Sequence, residues 1–182
     1  MPTARNLSLP LLGASLLLAA SAAQALPTDR DQPIKVAADS ASFDQKSGQA
    51  VYHGNVIIQQ GTLEVRADEV TLTVDKQGTV QKSVAKGNPA HYQQKQDEKK
   101  GLVTAEAQQI VYDAKSDSMI MTGNARLKQD TSSFQGSTIT YYISKQQADA
   151  SGDKNNRVQI EFKPQPRDTT QPAPAPIKDK AK

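Results

Sequence analysis

The sequence predicts an all-β domain, built as a sandwich, a roll or a solenoid of short strands. Apolar and polar residues alternate in many short runs, as where Leu63, Val65 and Ala67 alternate with Glu64 and Arg66. Because successive side chains of a strand point to opposite sides, each run has one apolar and one polar face. The runs follow one another at intervals of roughly 8–12 residues and show no helical period, which is typical of all-β domains.

Alternating runs predict strands from one end of the domain to the other. They are rich in Val, Ile, Thr and Tyr, which suit the pleated surface of a sheet. Their apolar members are Ile34 and Val36; Val56 and Ile58; Leu63, Val65 and Ala67; Val70, Leu72 and Val74; Ile139 and Tyr141; and Val158, Ile160 and Phe162.

Clusters of turn-forming residues separate these runs and predict the connections between strands. We expect turns at Lys46-Ser47-Gly48, Gln60-Gly61, Lys76-Gln77-Gly78, Lys86-Gly87-Asn88-Pro89, Lys115-Ser116-Asp117 and Ser151-Gly152-Asp153. Gly54-Asn55, Gly87-Asn88 and Gly123-Asn124 form three Gly-Asn pairs, which suit a tight turn or a bulge at positive φ. The very polar stretch 93–101 predicts an exposed hairpin tip.

Both ends of the chain are expected to lie outside the folded domain. Residues 1–25 combine Arg5, a short apolar run and Ala23-Gln24-Ala25, which is the pattern of a secretory signal peptide cleaved after Ala25. The apolar run is shorter than the ~20 residues that span a bilayer, which argues against a membrane anchor. Residues 26–162 form the predicted domain, and the Pro-rich basic tail 163–182 is expected to be disordered.

Composition excludes several classes of function. The chain has no cysteine, so it can form neither disulfides nor cysteine-based metal sites. The pI of about 9.0 suggests nucleic-acid binding, but residues 26–162 carry 16 basic and 17 acidic residues. The excess positive charge lies in the tail rather than on the domain, so no nucleic-acid partner is expected.

A degenerate internal repeat relates the two halves of the domain. Residues 37–72 recur without a gap as residues 106–141, 69 positions later. The repeat makes Phe43 equivalent to Tyr112, and Ile58 equivalent to Leu127. Two copies are too few for a solenoid within one chain, so we expect each copy to line part of one roll.

Residues that could support catalysis or metal binding are sparse. The two histidines, His53 and His91, are isolated and do not supply the several ligands that a metal site needs. Asp44 and Asp113 are equivalent in the repeat, which favours a structural role in turns. No cofactor or metal is predicted.

Several short motifs resemble the OstA-like family of periplasmic lipopolysaccharide-transport proteins. In and just before the first repeat copy they are Asp31-Gln32-Pro33-Ile34-Lys35-Val36, Asp39, Phe43-Asp44, Tyr52-His53-Gly54-Asn55-Val56, Gln60-Gly61-Thr62-Leu63 and Ala67-Asp68. Gly87-Asn88-Pro89-Ala90, Ala107, Tyr112-Asp113, Thr122-Gly123-Asn124-Ala125 and Ile139-Thr140-Tyr141 extend the resemblance, which covers about residues 31–162.

The resemblance implies a twisted, partly open antiparallel β-jelly roll with an apolar interior groove. Members of the family carry lipopolysaccharide from the inner to the outer membrane and shield its acyl chains. The implied partners are lipopolysaccharide, an LptC-like inner-membrane protein, an LptD-like outer-membrane protein and further copies of the chain joined head to tail. The implied location is the periplasm, and the implied role is not enzymatic.

With the alternating pattern, the resemblance predicts a lipid-binding lining of apolar side chains. The candidates are Ile34, Val36, Phe43, Val56, Ile58, Leu63, Val65, Val70, Leu72, Tyr92, Ile110, Tyr112, Ile120, Leu127, Phe134 and Ile139. Residues 34–38 and 157–162 are expected to form the joint between copies.

Two other hypotheses stay open at this point. One is a structural or adhesive β-repeat protein with a closed core and no lipid binding. The other is a carbohydrate-acting enzyme that uses Asp44, Asp113 or Glu106, since glycoside hydrolysis needs two carboxyl groups in one cleft.

Overall fold

The computed structural model describes residues 29–95, 101–154 and 156–162. The predicted signal peptide and the predicted disordered tail lie outside these residues. A single 3-10 turn, Asp29–Asp31, precedes ten strands: β1 Lys35–Ala37, β2 Ser40–Asp44, β3 Gln49–Gln60, β4 Leu63–Val74, β5 Val80–Lys95, β6 Leu102–Asp113, β7 Ser118–Gln129, β8 Ser132–Tyr142, β9 Gln147–Ser151 and β10 Gln159–Phe162.

The ten strands form one antiparallel sheet whose two edges are split. Strands β3 to β8 pair in chain order, β1 and β2 both pair with β3, and β9 and β10 both pair with β8. Among the described strands, neither edge pairs with the other, so the sheet does not close into a barrel. The prediction of an all-β, partly open antiparallel roll is confirmed.

A line of β-bulges crosses the five central pairings of this sheet. The strand register shifts between His53 and Val56, Arg66 and Glu69, Lys86 and Ala90, Glu106 and Gln109, and Thr122 and Ala125. A bulge bends its strand and increases the local twist. Because these bulges lie side by side, the whole sheet bends along one line, which we call the crease.

The Gly-Asn pairs lie at the crease. The prediction of a turn at Gly87-Asn88-Pro89 is wrong, because these residues lie within β5. Gly54-Asn55 and Gly123-Asn124 are likewise inside β3 and β7. In both of these pairs the glycine and the asparagine have positive φ, which the bulged backbone requires. The pairs therefore mark where strands bend, not where they end.

Four other turn predictions are confirmed, whereas Ser151 of the predicted turn Ser151-Gly152-Asp153 is the last residue of β9 and the other two lie in the connection to β10. The expected turns after β2, β3, β4 and β6 lie at the predicted residues. The stretch 93–101 is not a hairpin tip throughout, since β5 continues to Lys95 and Gln94 is partly buried. The adjoining residues 96–100 lie outside the described part of the chain.

The apolar faces of the two bent halves form a single core. The half of the sheet with β1 and β10 at its edges contributes Tyr92. The half with β2 and β9 at its edges contributes Tyr112 and Tyr141. Burial, followed by the electrostatic influence of Tyr141, Asp29 and Tyr112, raises the pKa of Tyr92 far above its usual range. Tyr92 therefore lies near tyrosines of the opposite half, across the interior.

Small residues occupy the interior side of the crease. Ala67, Ala90, Ala107 and Ala125 are at most 9% exposed there, and Ala125 is opposite Gly136. Val56, which pairs with Ala67, is a larger buried side chain on this face of the crease. The alanines allow the two halves to pack closely beside it.

The internal repeat is visible in the strands. A shift of 69 positions moves β3, Gln49–Gln60, onto β7, Ser118–Gln129. The same shift moves the bulge after His53 onto the bulge after Thr122. The two copies therefore form equivalent bent hairpins within one sheet.

Candidate functional site

Side chains on the interior face form two continuous rows across the sheet, and all members of these rows except Ser83 are apolar. Cross-strand pairing aligns one row from edge to edge, and a second row lies on the other side of the crease. The first row is Val36, Ile58, Val65, Tyr92, Ala105, Leu127, Phe134 and Ile160. The second row is Phe43, Ala50, Leu72, Ser83, Tyr112, Met119, Tyr141 and Ala148.

These rows are buried in the middle of the sheet and exposed at both edges. Ile58 and Leu127 are 5% and 1% exposed, whereas Val36 and Ile160, at the ends of the same row, are 36% and 49% exposed. Phe43 at one edge is 62% exposed. The apolar interior therefore reaches solvent at each edge of the sheet.

Most of the predicted lining residues lie on this interior face. Those that are buried are Val56, Ile58, Val70, Leu72, Tyr92, Ile110, Leu127 and Ile139. Leu63, Val65 and Phe134 are partly buried and pack against them, and Tyr112 is half-buried. Val36 and Phe43 pair with Ile58 and Ala50 on the same face, and exposed Ile34 immediately precedes β1.

The prediction for Ile120 is wrong. Ile120 lies between Met119 and Met121, which are 1% and 0% exposed, and it is itself 39% exposed. Its cross-strand partners are Val111 and Thr140, on the outer face of the sheet. Side chains alternate along β7, so Ile120 faces away from the interior.

Several interior residues are absent from the predicted lining. Met119, Met121 and Val103 are buried in the core, and Ile160 and Phe162 extend the interior face along β10. The rings of Phe134 and Phe162 meet edge to face at 6.2 Å between centroids. Alternation of Met119 and Met121 with Ile120 was the signal that could have found the two methionines.

The two ends of the interior differ in polarity. Beyond the first row, the interior face carries Gln94, Val103, Gln129, Ser132 and Phe162 as consecutive cross-strand neighbours, and we call the polar members Gln94, Gln129 and Ser132 the amide rim. On the far side of the crease, aromatic and aliphatic residues of the second row continue almost to the turns. The interior is therefore apolar with one polar margin.

A hydrogen-bond chain links the amide rim to the interior. The Tyr92 hydroxyl donates to Gln94 Oε1 at 2.6 Å, and Gln94 Nε2 donates to Asp29 Oδ2 at 2.8 Å. Asp29 also accepts hydrogen bonds from the Thr62 amide and hydroxyl, at 2.8 and 2.6 Å. The almost buried phenol of Tyr92 thereby has a polar partner, as a buried hydroxyl requires.

The outer face carries exposed ion pairs. Glu69 lies 2.9 Å from Lys86 Nζ and 3.3 Å from His53 Nδ1, and Glu106 lies 3.5 Å from His91 Nδ1. Within the described residues, no group of three or more His, Cys, Asp or Glu side chains could hold a metal ion.

The aspartates of the enzyme hypothesis have structural roles. Asp44 Oδ1 accepts a hydrogen bond from the Lys46 amide at 2.8 Å, and Asp113 Oδ1 accepts one from the Lys115 amide at 2.9 Å. These are equivalent side-chain turns, as the repeat predicted. The hydrogen bonds from Lys46 and Ser47 lower the pKa of Asp44.

Comparison with known families identifies the family to which this chain belongs. Residues 35–147 match the family described as LptA/(LptD N-terminal domain) LPS transport protein. The chain belongs to this LptA/LptD N-terminal family. The resemblance inferred from the sequence motifs is confirmed.

Three relatives from this family are similar to the present chain over most of their length. The lipopolysaccharide export system protein LptA of Escherichia coli K12 is 41% identical over 84% of this chain and 83% of its own. LptH of Pseudomonas aeruginosa, also named a lipopolysaccharide export system protein, is 38% identical over 76% and 80%. The Haemophilus influenzae LptA is 36% identical over 80% and 85%.

A solved structure shares the fold of the family member described here. The crystal structure of LptH from Pseudomonas aeruginosa, a periplasmic component of a lipopolysaccharide transport device, aligns with a TM-score of 0.68. The alignment is 32% identical and covers 76% of this chain and all of the LptH chain. In the described part of the present chain, no helix is long and apolar enough to cross a membrane.

Proposed function

We propose that this chain is a non-enzymatic carrier that binds the acyl chains of lipopolysaccharide in its apolar interior and passes them toward the outer membrane. The observation that carries the proposal is the row from Val36 to Ile160, which is apolar across every strand and exposed at both edges. Relatives named as export proteins for lipopolysaccharide support the choice of ligand.

The physical requirement for such a carrier is continuous cover of the acyl chains. Each methylene group exposed to water costs about 0.8 kcal/mol. A chain of ten or more methylene groups therefore needs an apolar surface along its whole path. Interior rows that run perpendicular to the strands provide such a path without any chemical step.

The two split edges suit addition of further chains. β1 and β2 leave one side of the sheet unpaired, and β9 and β10 leave the other, within the described strands. Strand addition at an open edge joins two sheets through main-chain hydrogen bonds. Because the two edges differ, the contact is heterologous and extends copies head to tail.

The proposed location and partners follow from this assembly. Residues 34–38 and 157–162 would form the joint between copies, and the interior would run from one copy to the next. The same edges would contact an LptC-like inner-membrane protein and an LptD-like outer-membrane protein in the periplasm. The predicted signal peptide supports export to that compartment.

Site-specific photocrosslinking tests the proposal. A photoreactive residue at Val36 or Phe43 should capture lipopolysaccharide, because both positions lie on the interior face at an edge. Lys35 is the matched control, since it is next to Val36 and points to the other face. Equal capture at Lys35 and Val36, or capture at Lys35 alone, would contradict the proposal.

A closed-core structural protein is the second candidate, and tight burial favours it. Val70, Met121, Ile139 and Tyr141 are 0% exposed, so the interior is filled by its own side chains. For lipid to enter, the two halves must move apart about the crease. A closed-core protein predicts that neither Val36 nor Phe43 captures lipid, which the same crosslinking experiment decides.

A further inference from the structure

The turn between β3 and β4 holds a carboxylate supplied by another segment. The Thr62 amide donates to Asp29 Oδ1 at 2.8 Å, and the Thr62 hydroxyl donates to Asp29 Oδ2 at 2.6 Å. Gln94 Nε2 donates to the same Oδ2 at 2.8 Å. Three donors from two strand ends therefore converge on one anionic group.

The space for this carboxylate depends on Gly61. A Cβ atom at Gly61 would lie 2.2 Å from Asp29 Oδ1, so no other residue fits while Asp29 is bound. In the second repeat copy the equivalent position is Asp130, whose own Oδ1 accepts a hydrogen bond from the Gly101 amide at 2.8 Å. The second copy thus has a carboxylate, Asp130, in its own turn. The first copy has Gly61 at that position and receives the carboxylate of Asp29 from outside the turn.

The donors are oriented before any ligand binds. Tyr92 donates its hydroxyl proton to Gln94 Oε1, which directs Gln94 Nε2 toward Asp29. The Lys95 amide donates to Thr62 Oγ1 at 3.1 Å, and the Thr62 hydroxyl lies 2.6 Å from Asp29 Oδ2 but 3.3 Å from the Lys95 carbonyl oxygen, so Asp29 is its nearer acceptor. Preorganised donors of this kind form a site for anionic oxygens in general, not for one side chain.

This anion site lies at the boundary between the apolar interior and solvent. Tyr92 belongs to the buried row of Ile58 and Leu127, whereas Gln94 belongs to the amide rim. Asp29 belongs to the segment 29–32, in which the Gln32 carbonyl accepts a hydrogen bond from Gln60 Nε2 at 2.9 Å. A short segment outside the strands can open at lower cost than a strand of the core.

We propose that Thr62 and Gln94 form a binding site for a phosphate group of the lipid head group, and that Asp29 occupies this site until the ligand displaces it. The proposal rests on the proposed function, because acyl chains in the interior would place their phosphorylated saccharide at the polar margin. A phosphate has the same anionic oxygens as a carboxylate and accepts the same donors. Asp29 would then compete with the ligand within the same molecule.

Binding of two lipids to the mature full chain tests the proposal. Bisphosphorylated lipid A and its dephosphorylated form are titrated into the unaltered protein and Asp29→Ala. Removal of the internal competitor should tighten binding of the phosphorylated lipid by roughly 3–10-fold, as expected when a competing state is removed. Binding of the dephosphorylated lipid should be unchanged.

Two further variants act as controls. Gln94→Leu in the Asp29→Ala background should abolish the gain, because it removes a donor from the site. Asp68→Ala removes an exposed carboxylate at the crease, far along β4 from Thr62, and should change neither affinity. Equal tightening for both lipids would show that the segment only obstructs entry, and no tightening would show that Asp29 does not compete. Either result overturns the phosphate site.

Titration of inorganic phosphate separates this proposal from the proposed function. The Thr62 amide resonance should shift with phosphate in Asp29→Ala and not in the unaltered protein. Absence of that shift in Asp29→Ala overturns the anion site. If no variant binds either lipid, the carrier function fails, whereas the phosphate titration still decides whether the anion site exists.

Discussion

Ile120 and Leu127 show how one strand divides its side chains between two environments. Both are large aliphatic residues of β7, yet Leu127 is 1% exposed in the interior and Ile120 is 39% exposed on the outer face. Hydrophobicity alone does not separate them. Their positions relative to the buried Met119 and Met121 distinguish them, because successive side chains of this strand point to opposite faces of the sheet.

We expect truncation of these two residues to have different costs. Leu127→Ala should lower the free energy of unfolding by about 2–5 kcal/mol, since it leaves a cavity in the core. Ile120→Ala should cost less than about 1 kcal/mol, as is usual for surface positions. Urea denaturation of both variants measures the difference, and similar losses would contradict the assignment of Ile120 to the outer face.

Asp29 is a second residue whose surroundings should have a measurable effect, here on how stability depends on pH. Burial raises its pKa, but the hydrogen bonds from Thr62 and Gln94 outweigh burial, so the pKa is lowered from the ordinary 3.8. A carboxyl with a lowered pKa stabilises the fold above its unfolded pKa. This contribution is lost as the pH falls through the folded value.

The variant Asp29→Asn should therefore be less stable than the unaltered protein at neutral pH, by about 1 kcal/mol or less because Asp29 is only partly buried. The difference should stay constant down to about pH 5, decline below the ordinary Asp pKa of 3.8, and vanish only below the lowered pKa of the folded state. Thermal unfolding across pH 2–7 measures it. A difference that widens on acidification would rule out this role for Asp29.

Among the strands, the bulges determine the shape of the sheet. The central strands are 11 to 16 residues long, and each changes direction at the crease. The bulges let both halves of one strand turn the same apolar face inward. The Gly-Asn pairs supply the backbone that this bend requires, and the bend brings the two halves together.

Gly123 and Gly78 make a matched pair for testing the crease. Both have nearly the same positive φ, +84° and +83°. A Cβ at Gly123 would lie 2.9 Å from Gln108 Cβ, whereas one at Gly78 would have no neighbour within 4 Å. Gly78→Ala should cost about 1 kcal/mol from backbone strain alone.

Gly123→Ala should cost clearly more than Gly78→Ala, because it adds a steric clash to the same strain. Chemical denaturation of the two variants under identical conditions measures the difference. Equal costs would indicate that the crease relaxes freely around an added methyl group.

The molecule as a whole is an open roll with unlike edges, and assembly is its expected property. Val36 and Ile160 end the same interior row at opposite edges and remain exposed in a single copy. Joining the edges of two copies would cover both residues and continue the row. Exposed apolar edges are otherwise a hazard for aggregation.

Deletion of residues 157–182 should abolish oligomers, because it removes β10 from one edge. Deletion of 163–182 alone is the control, since it removes the Pro-rich tail and leaves β10 in place. Light scattering over a range of concentrations measures the oligomeric state. Oligomers that persist without residues 157–162, or that disappear in the control, would exclude β10 as the joint.

Much of this architecture was predictable because it depends on local patterns. Alternation in runs such as Leu63, Val65 and Ala67 predicted strands, and the repeat predicted that β3 and β7 are equivalent. Turn chemistry predicted the roles of Asp44 and Asp113. Each of these features arises from residues close together in the chain, so a single sequence contains the information.

The path of the interior face was not predictable in the same way. In β6 the odd-numbered Val103, Ala105 and Ala107 face inward, whereas beyond the bulge the even-numbered Ile110 does. The bulge between Glu106 and Gln109 causes this change from odd-numbered to even-numbered residues. In β7, by contrast, odd-numbered residues face inward on both sides of the bulge. The pattern of one strand does not reveal which case applies, so Ile120 was misplaced.

Sequence patterns established the all-β class, most strands and turns, the repeat and the family motifs, since each depends on short-range periodicity or on residue identity. The crease, the alanines beneath it and the contact of Asp29 with Thr62 and Gln94 emerged from the folded sheet alone. They depend on which strands lie side by side and on how far their backbones bend. Such long-range geometry results from packing all ten strands together, not from any one run of residues.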